Sequence, residues 1–562
     1  MGALVGSLLR FKFFIDRHTL ERSFRRKCQN PLKTQWAFLK ELLYRNQDTA
    51  FGRKYRFAEI KNLQDFRDRV PIHLWEDLEP YMEEVQRGNL QVLFPSDEEL
   101  LMFATTSGTT GKPKFIPYTR AAYEHYSAWS LMWPHLLKES PRTFYGHVLT
   151  FPGDPEEGYF GKIPYGAISA KCYAQQNWLV RYLYPYPYTV SRIKDYALRY
   201  YTIMRIAVEK QVSFIPIANP STILTLFKVA RERREDIIED IRAGRLRDAD
   251  RMPAKFRDVM LKKLRPNPWR ARELEEICKK TGDFLPCDYW KGLCTFLSWS
   301  GGPLRLYLEQ LSGFVDFSQV KFFDLGLLAS EGRFSFPISS KQKGTCLNIV
   351  SNFFEFIPED QADDPDADVL TADQLKQGNR YFILITNASG LYRYNIHDLI
   401  EVAGFYEQAP LIRFCNKGKH ISNITGEKIT EFQVTEGARR ASEKVGYPIK
   451  DFTVCLHWDD HRPSYTFLKN SDPDDDERTL QTFINAFESE LMEMNLEYRS
   501  KRESMRLGPV RLKVVHGYED YEKEKKLRTH NLSQYKHAFL VNDPAFEKQF
   551  PAEQEVISSI AP

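Results

Sequence analysis

Apolar positions early in the chain recur at spacings of three and four, as in PLKTQWAFLKELL (31–43), and predict a largely helical first hundred residues. Further on the period changes. The runs TFYGHVLTF (143–151), VSFIPI (212–217), LCTFLSW (293–299) and VKFFDL (320–325) are short, apolar and rich in aromatic or β-branched residues. Strands of that kind separated by helical stretches predict an α/β fold, with sheets covered by helices on both faces. The charged segment Lys228–Lys280 reads as helix broken at Pro253 and Pro266, because proline lacks the amide hydrogen and clashes with the preceding turn.

After about residue 418 the pattern changes again. DFTVCLHW (451–458) and SYTFLK (464–469) read as paired strands, followed by the acidic loop SDPDDDE. An amphipathic helix follows, with Leu480, Phe483, Ile484, Phe487 and Leu491 on one face, and PVRLKVV (509–515) supplies another strand. The expected organisation is a large domain over 1–418 and a small α+β lobe over 419–562. The acidic stretch 359–368 reads as a surface loop, and no internal repeat is present.

Composition narrows the classes of function. Hydrophobic residues make up 42% and charged residues 27%, as in ordinary soluble proteins. Net charge is +4, from 79 basic and 75 acidic residues with both signs interspersed, which argues against a nucleic-acid partner. Eight cysteines lie scattered with no CxxC pair, arguing against a zinc site and a disulfide framework and fitting a reducing compartment. The apolar residues 3–15 carry Arg10 and Lys12 and fall short of the roughly 20 needed to span a bilayer. They lack the order of a secretory signal, and Gly6 stands where myristoylation wants Ser or Thr. A soluble, cytoplasmic protein without a membrane span is expected. The 39 Phe and 29 Tyr suit a large core, and some could wall a pocket; the run Tyr182–Tyr188 reads either as such a wall or as a Pro/Tyr loop packed on the surface.

The sharpest local signal is TTSGTTGKPKFIPYT (105–119). Glycines let backbone amides approach phosphate oxygens, hydroxyls add donors, and Lys112 adds a cation. It is no P-loop: two residues, not four, separate Gly108 from Gly111, and Pro113 follows Lys112. The competing reading is a flexible polar turn.

SGTTGKPK resembles the phosphate-binding signature of the adenylate-forming superfamily of luciferases, acyl-CoA ligases and peptide-synthetase adenylation domains. Three further segments follow in that superfamily's order: SWSGGPL (298–304), FFDLGLLASEG (322–332) and LYRYNIHDLIEVAGF (391–405). NFFEFIP (352–358), LLASEG, LYRYNIHD and SQYK (533–536) are together similar to the auxin-responsive acyl acid-amido synthetases, the Gretchen Hagen 3 family. The resemblance extends over nearly the whole chain and implies a large N-terminal domain with a mobile C-terminal lobe. It assigns ATP contacts to Thr106, Ser107, Gly108, Thr109, Thr110, Gly111, Gly301, Gly302, Ser330, Glu331, Asp398 and Lys417. Glu331 is the implied magnesium ligand, Asp398 the ribose ligand, Lys112 and Lys536 the catalytic cations, and Lys419 the hinge. Gly426 falls where a mobile loop enters the site. Two positions depart from the family pattern: His397 replaces a glycine before Asp398, and Lys417 replaces an arginine, keeping charge but losing a bidentate fork.

Joining a carboxylate to the α-phosphate of ATP brings two anions together, so the chemistry asks for a metal, cations and backbone donors. The residue types in these segments supply them. The expected activity is an ATP- and magnesium-dependent ligase that makes an acyl adenylate and passes the acyl group to an amine, with an amino acid as the implied acceptor. An acyl-CoA ligase is the main alternative, disfavoured because SQYK stands where those enzymes carry a PKTxSGK pattern. A catalytically inactive nucleotide-cleft protein is the other.

Overall fold

The computed structural model describes residues 15, 17–106, 114–127, 131–151, 153, 156–176, 178–301, 305–362, 364, 366–418, 421–449, 452–458, 462–472, 475–518, 521 and 538–561. They form two compact units. One comprises the chain up to Thr106 and from Phe115 to Cys415, and the other contains the chain from Asn416 onward.

The first unit opens with helices, as the periodicity predicts. Helix Pro31–Asn46 starts where the Asn30 side chain accepts from the Lys33 amide at 3.0 Å and Pro31 presets the first turn. It buries Gln35, Leu39, Leu42, Leu43 and Asn46 along one stripe. The Gln35 Oε1 accepts from the Phe354 amide at 2.8 Å, tying that stripe to a sheet.

Three main sheets make up the rest of the unit. The first, in the order His147–Val148, Val212–Pro216, Thr295–Ser298 and Lys321–Asp324, is parallel throughout. All four expected strand runs contribute, although only two residues of 143–151 are in the ladder. Helix Tyr196–Glu209 buries every residue from Leu198 to Val208, as a helix enclosed on all sides must. The segment Lys228–Lys280 is helical and is interrupted near Pro253 and Pro266, as expected.

A second sheet joins Lys114–Thr119, Leu100–Thr106, Ile163–Gly166 and Gly158–Phe160 in that order. The third has six strands, ordered Ser335–Phe336, Thr345–Leu347, Ala409–Lys417, Tyr394–Tyr406, Arg380–Thr386 and Phe353–Pro358, with neighbours among the first three strands antiparallel and those among the last three likewise. The sequence pattern does not foretell that antiparallel sheet. Its strands FFEFIP and RYFILIT are almost continuously buried, so they lack the alternation that marks a one-sided strand.

The second unit is α+β. Five strands run in the order Leu540–Val541, Phe452–His457, Ser464–Asn470, Arg511–Val515 and Ala552–Ile557, and the two expected partner strands pair antiparallel. Helix Glu477–Met494 begins where Asp476 accepts from the Thr479 amide at 3.0 Å, and all five expected apolar positions are buried. Phe483 and Phe487 meet Phe467 of the sheet edge-on, with ring centroids 5.3 and 5.1 Å apart. The expected fold class, α/β sheets flanked by helices plus a small α+β unit, is borne out. No helix among the described residues is long and apolar enough to cross a membrane.

Phe483→Ala should cost about 3–5 kcal/mol, because it removes a fully buried ring and leaves a cavity. Hydrogen exchange of the Ser464–Asn470 amides measures this, and rates close to wild type would contradict the packing described.

Candidate functional site

Leu328–Ala329 and Gly332–Arg333 pair antiparallel, with Gly332 opposite Ala329. Ser330 and Glu331 are therefore the two residues at the tip of a tight hairpin. Three hydrogen bonds fix that tip. The Ser330 hydroxyl donates to the Thr105 carbonyl at 2.8 Å, the Tyr118 hydroxyl donates to the Ser330 carbonyl at 2.9 Å, and the Asn387 amide donates to the Glu331 carbonyl at 2.8 Å. Thr105 and Tyr118 belong to the strands on either side of the Gly-rich segment, so the tip is held where the chain enters that segment. Glu331 is only 5% exposed, which sets it apart from an ordinary loop glutamate. Thr106 ends its strand, while Ser107, Gly108, Thr109, Thr110, Gly111 and Lys112 lie outside the described residues.

Asp398 lies in strand Tyr394–Tyr406 at an irregularity. Phe382 pairs with Leu399 and Leu384 with Asn395, so one strand advances two residues while the other advances four. The surplus is a bulge, a device that re-aims side chains. Within it His397 has φ +58°, and its amide donates to the Asn395 side chain at 2.9 Å. That left-handed conformation explains why glycine suits the position, and histidine is among the residues that tolerate it better than most. His397 itself is exposed and Asp398 buried, in keeping with His397 as a spacer.

Tyr394 links the two acids. Burial pushes its hydroxyl pKa well up, and the negative charges of Glu331 and Asp398 both push it further. Tyr118 is likewise raised, first by burial, with Glu331 contributing. Two carboxylates from different motifs thus act on one buried tyrosine.

Gly301 follows the parallel strand Thr295–Ser298, whose Ser298 lies opposite Asp324. A Cβ at Gly301 would meet the Phe414 carbonyl oxygen at 2.9 Å, so this close approach requires glycine. The Ser300 hydroxyl bonds the Asp324 carboxylate, and the Trp299 indole donates to the Gly326 carbonyl at 3.0 Å. Loss of water raises the Asp324 pKa, against the lowering by Ser300 and the Gly326 amide. These loops leave the carboxyl ends of parallel strands, the usual place for ligands in such sheets. Lys417 ends strand Ala409–Lys417. Gly302, Lys419 and Lys536 lie outside the described residues.

Residues 20–320 match the GH3 family N-terminal domain, 345–417 its central domain and 432–545 its C-terminal domain. The chain belongs to the GH3 family. Among its relatives, indole-3-acetic acid-amido synthetase GH3.10 of Arabidopsis thaliana is 25% identical over 538 residues, covering 88% of this chain and 89% of that one. Jasmonoyl--L-amino acid synthetase JAR6 of Nicotiana attenuata is 23% identical over 526 residues, covering 89% of each. The solved GH3.15 acyl acid amido synthetase aligns with a TM-score of 0.64 at 21% identity, over 96% of this chain and 97% of that one, and shares the fold. The family resemblance carried by the motifs and the expectation of a ligase are both borne out.

In this GH3 protein Glu331 offers a single carboxylate, and no group of three or more His, Cys, Asp or Glu side chains forms a metal cage among the described residues. A single carboxylate is a donor set that would suit magnesium, which takes most of its positions from water and phosphate oxygens. Several supporting residues escaped the motif reading. Tyr118 and Tyr394 sit inside quoted segments, where their hydroxyls gave no signal of a contact. Asn387 lies in the polar break TNASG between two apolar runs, outside the quoted motifs. The Tyr182–Tyr188 run is mixed: Leu183 and Tyr186 are buried, Tyr173 packs on Tyr184 at 4.2 Å, and Tyr182 is exposed.

The strand of Asp398 starts from a buried ion pair. The Arg393 Nε donates to Glu355 at 2.8 Å and its Nη1 donates to the Val70 carbonyl at 2.7 Å, while Arg67 donates to the same carboxylate at 2.9 Å. Glu355→Gln should therefore destabilise the protein by about 3–5 kcal/mol, since it leaves Arg393 buried without its counter-charge. A urea midpoint unchanged from wild type would remove this pair from the account. At the bulge, His397→Gly should leave stability unchanged or raise it, whereas His397→Val should cost roughly 1–2 kcal/mol for a branched side chain at φ +58°. Thermal unfolding of the two variants compares them directly, and Val tolerated as well as Gly would contradict the left-handed turn.

Proposed function

We propose that this GH3 family protein uses ATP to convert a carboxylic acid to its acyl adenylate, and then transfers the acyl group to an amine of the amino-acid class. The observation that carries the reading is the meeting of three motif segments: the Ser330–Glu331 tip bonded to Thr105 and Tyr118, and Glu331 and Asp398 both acting on Tyr394. The relatives' names support the acceptor, since one specifies an L-amino acid and another, 4-substituted benzoates-glutamate ligase GH3.12 of Arabidopsis thaliana, specifies glutamate.

In the first step a carboxylate oxygen attacks the α-phosphorus of ATP, the bond to the bridging oxygen breaks, and pyrophosphate leaves with that electron pair. In the second step the amine nitrogen attacks the acyl carbon, AMP leaves, and the amine loses a proton to solvent. The Gly-rich segment from Thr106 to Gly111, with Lys112, donates to the phosphates. Glu331 would hold magnesium, which supplies positive charge beside the phosphate oxygens. Asp398 accepts from two ribose hydroxyls, as a carboxylate with two acceptor oxygens can. Gly301, Gly302 and Ser330 border the nucleotide, and Lys417 adds charge near the ribose. In the same proposal the 419–562 lobe moves about Lys419 and brings Lys536 to the reacting carboxylate and α-phosphate, and the enzyme works in the cytoplasm.

Lys536 separates the two half-reactions. Its charge matters only while carboxylate meets α-phosphate, and removing one such donor costs about 10²–10³-fold in rate. Lys536→Ala should fail to release pyrophosphate from acid and ATP, yet convert supplied acyl adenylate and amine to amide at near the wild-type rate. Equal loss of both steps would assign Lys536 a structural or AMP-binding part and end this account of the first step.

A further inference from the structure

Next to the cavity that Glu331 lines, a groove of about 760 Å³ runs between helices Arg22–Cys28, Pro31–Asn46 and Arg120–Tyr126. That volume suits a small molecule. Its floor includes Ala37, Phe38 and Leu42, and its rim carries Arg26, Lys27, Lys33 and Arg45, against Glu41 as its one acidic lining residue. Arg45 is balanced by Glu98 at 3.1 Å. Arg26, Lys27 and Lys33 make no ion pair among the described residues, in a unit where arginines such as Arg67, Arg205, Arg242 and Arg393 are paired.

The local helices account for only part of this charge. Arg26 and Lys27 lie in the last turn of Arg22–Cys28, where cations complement the carbonyl end of a helix. Lys33 lies in the first turn of Pro31–Asn46, where the helix dipole disfavours a cation, and that turn contains no acid. The Thr34 hydroxyl donates to the Lys27 carbonyl at 3.0 Å, holding the two helix ends together so that the three charges share one rim. Residues 1–14 do not complement the rim by charge, because they contain Arg10 and Lys12 and no acid. The groove shares His125 and Ala388 with the cavity beside Glu331 but contains none of the residues assigned to ATP.

We propose that this groove binds a soluble small molecule bearing clustered phosphates, with its apolar or ring portion on Ala37, Phe38 and Leu42 and its phosphates on Arg26, Lys27 and Lys33. The binding and protection measurements stand apart from the ligase reading, and only the activity control rests on it.

The test uses the full chain without magnesium or ATP. Calorimetry follows inorganic tripolyphosphate and adenosine 3′,5′-bisphosphate, and hydrogen exchange follows the amides of 26–34. Both probes should bind and protect those amides, the bisphosphate more tightly because it adds a ring. Lys27→Gln/Lys33→Gln, on exposed residues, should weaken both by roughly tenfold or more and abolish the protection. Acid-dependent pyrophosphate release without probe should stay at the wild-type rate, which separates this site from the nucleotide site. Absence of binding, equal binding to the double variant, or protection seen only with phosphatidylinositol-phosphate vesicles would overturn the proposal.

Discussion

Between strand Phe353–Pro358 and the strand of Asp398 lies the buried Glu355–Arg393 ion pair, and the geometry of the candidate site depends on it. Glu355 is 1% exposed and Arg393 is 5% exposed, so neither charge is solvated by water. A pair in that position is tolerated only when the remaining donors are satisfied. Arg393 meets the condition through the carbonyls of Val70 and Arg67, at 2.7 and 3.3 Å. The guanidinium is thereby a junction of three elements: the end of helix Leu63–Arg69, the edge strand of the six-stranded sheet, and the first residues of strand Tyr394–Tyr406.

A neutral histidine completes that junction. The His73 amide donates to the Arg393 carbonyl and the Asn395 amide donates to the His73 carbonyl, both at 3.0 Å. The His73 Nδ1 lies 2.8 Å from the Tyr392 carbonyl, which can only accept, so that nitrogen carries the proton and Nε2 accepts from the Tyr55 hydroxyl at 3.0 Å. Burial depresses the His73 pKa, with partial opposition from the Tyr392 hydrogen bond, in accord with a neutral ring. The start of the strand is thus fixed on both sides within a few residues of the bulge. The bulge that carries Asp398 is thereby anchored at its start.

How far this was legible in the sequence depended on the range of each interaction. Helix Glu477–Met494 could be read because periodicity and the Asp476 cap are local, and all five apolar positions are buried as expected. The acids Glu331 and Asp398 were legible through their motifs, since neither residue type is informative alone. The hairpin that buries Glu331 was not legible, because its hydrogen bonds reach Thr105 and Tyr118, more than two hundred residues earlier. The Arg67–Glu355 contact spans 288 residues and leaves no periodic trace. The positive φ at His397 stood out only as a departure from a glycine, and the conformation makes that departure intelligible.

The same constraints bear on why the acids sit where they do. Burying carboxylates costs free energy unless hydrogen bonds or opposite charges compensate. Glu331 and Asp398 are both buried, and both add to the raised pKa of Tyr394, so the field at that tyrosine is negative. Negative charge in a buried region favours whatever brings positive charge or hydroxyl donors to it. The magnesium and ribose hydroxyls proposed above for Glu331 and Asp398 would be such groups. Under the proposed function, a ligand that presents a cation and a diol together would meet this negative field, while the Glu355–Arg393 junction fixes the start of the strand that carries Asp398.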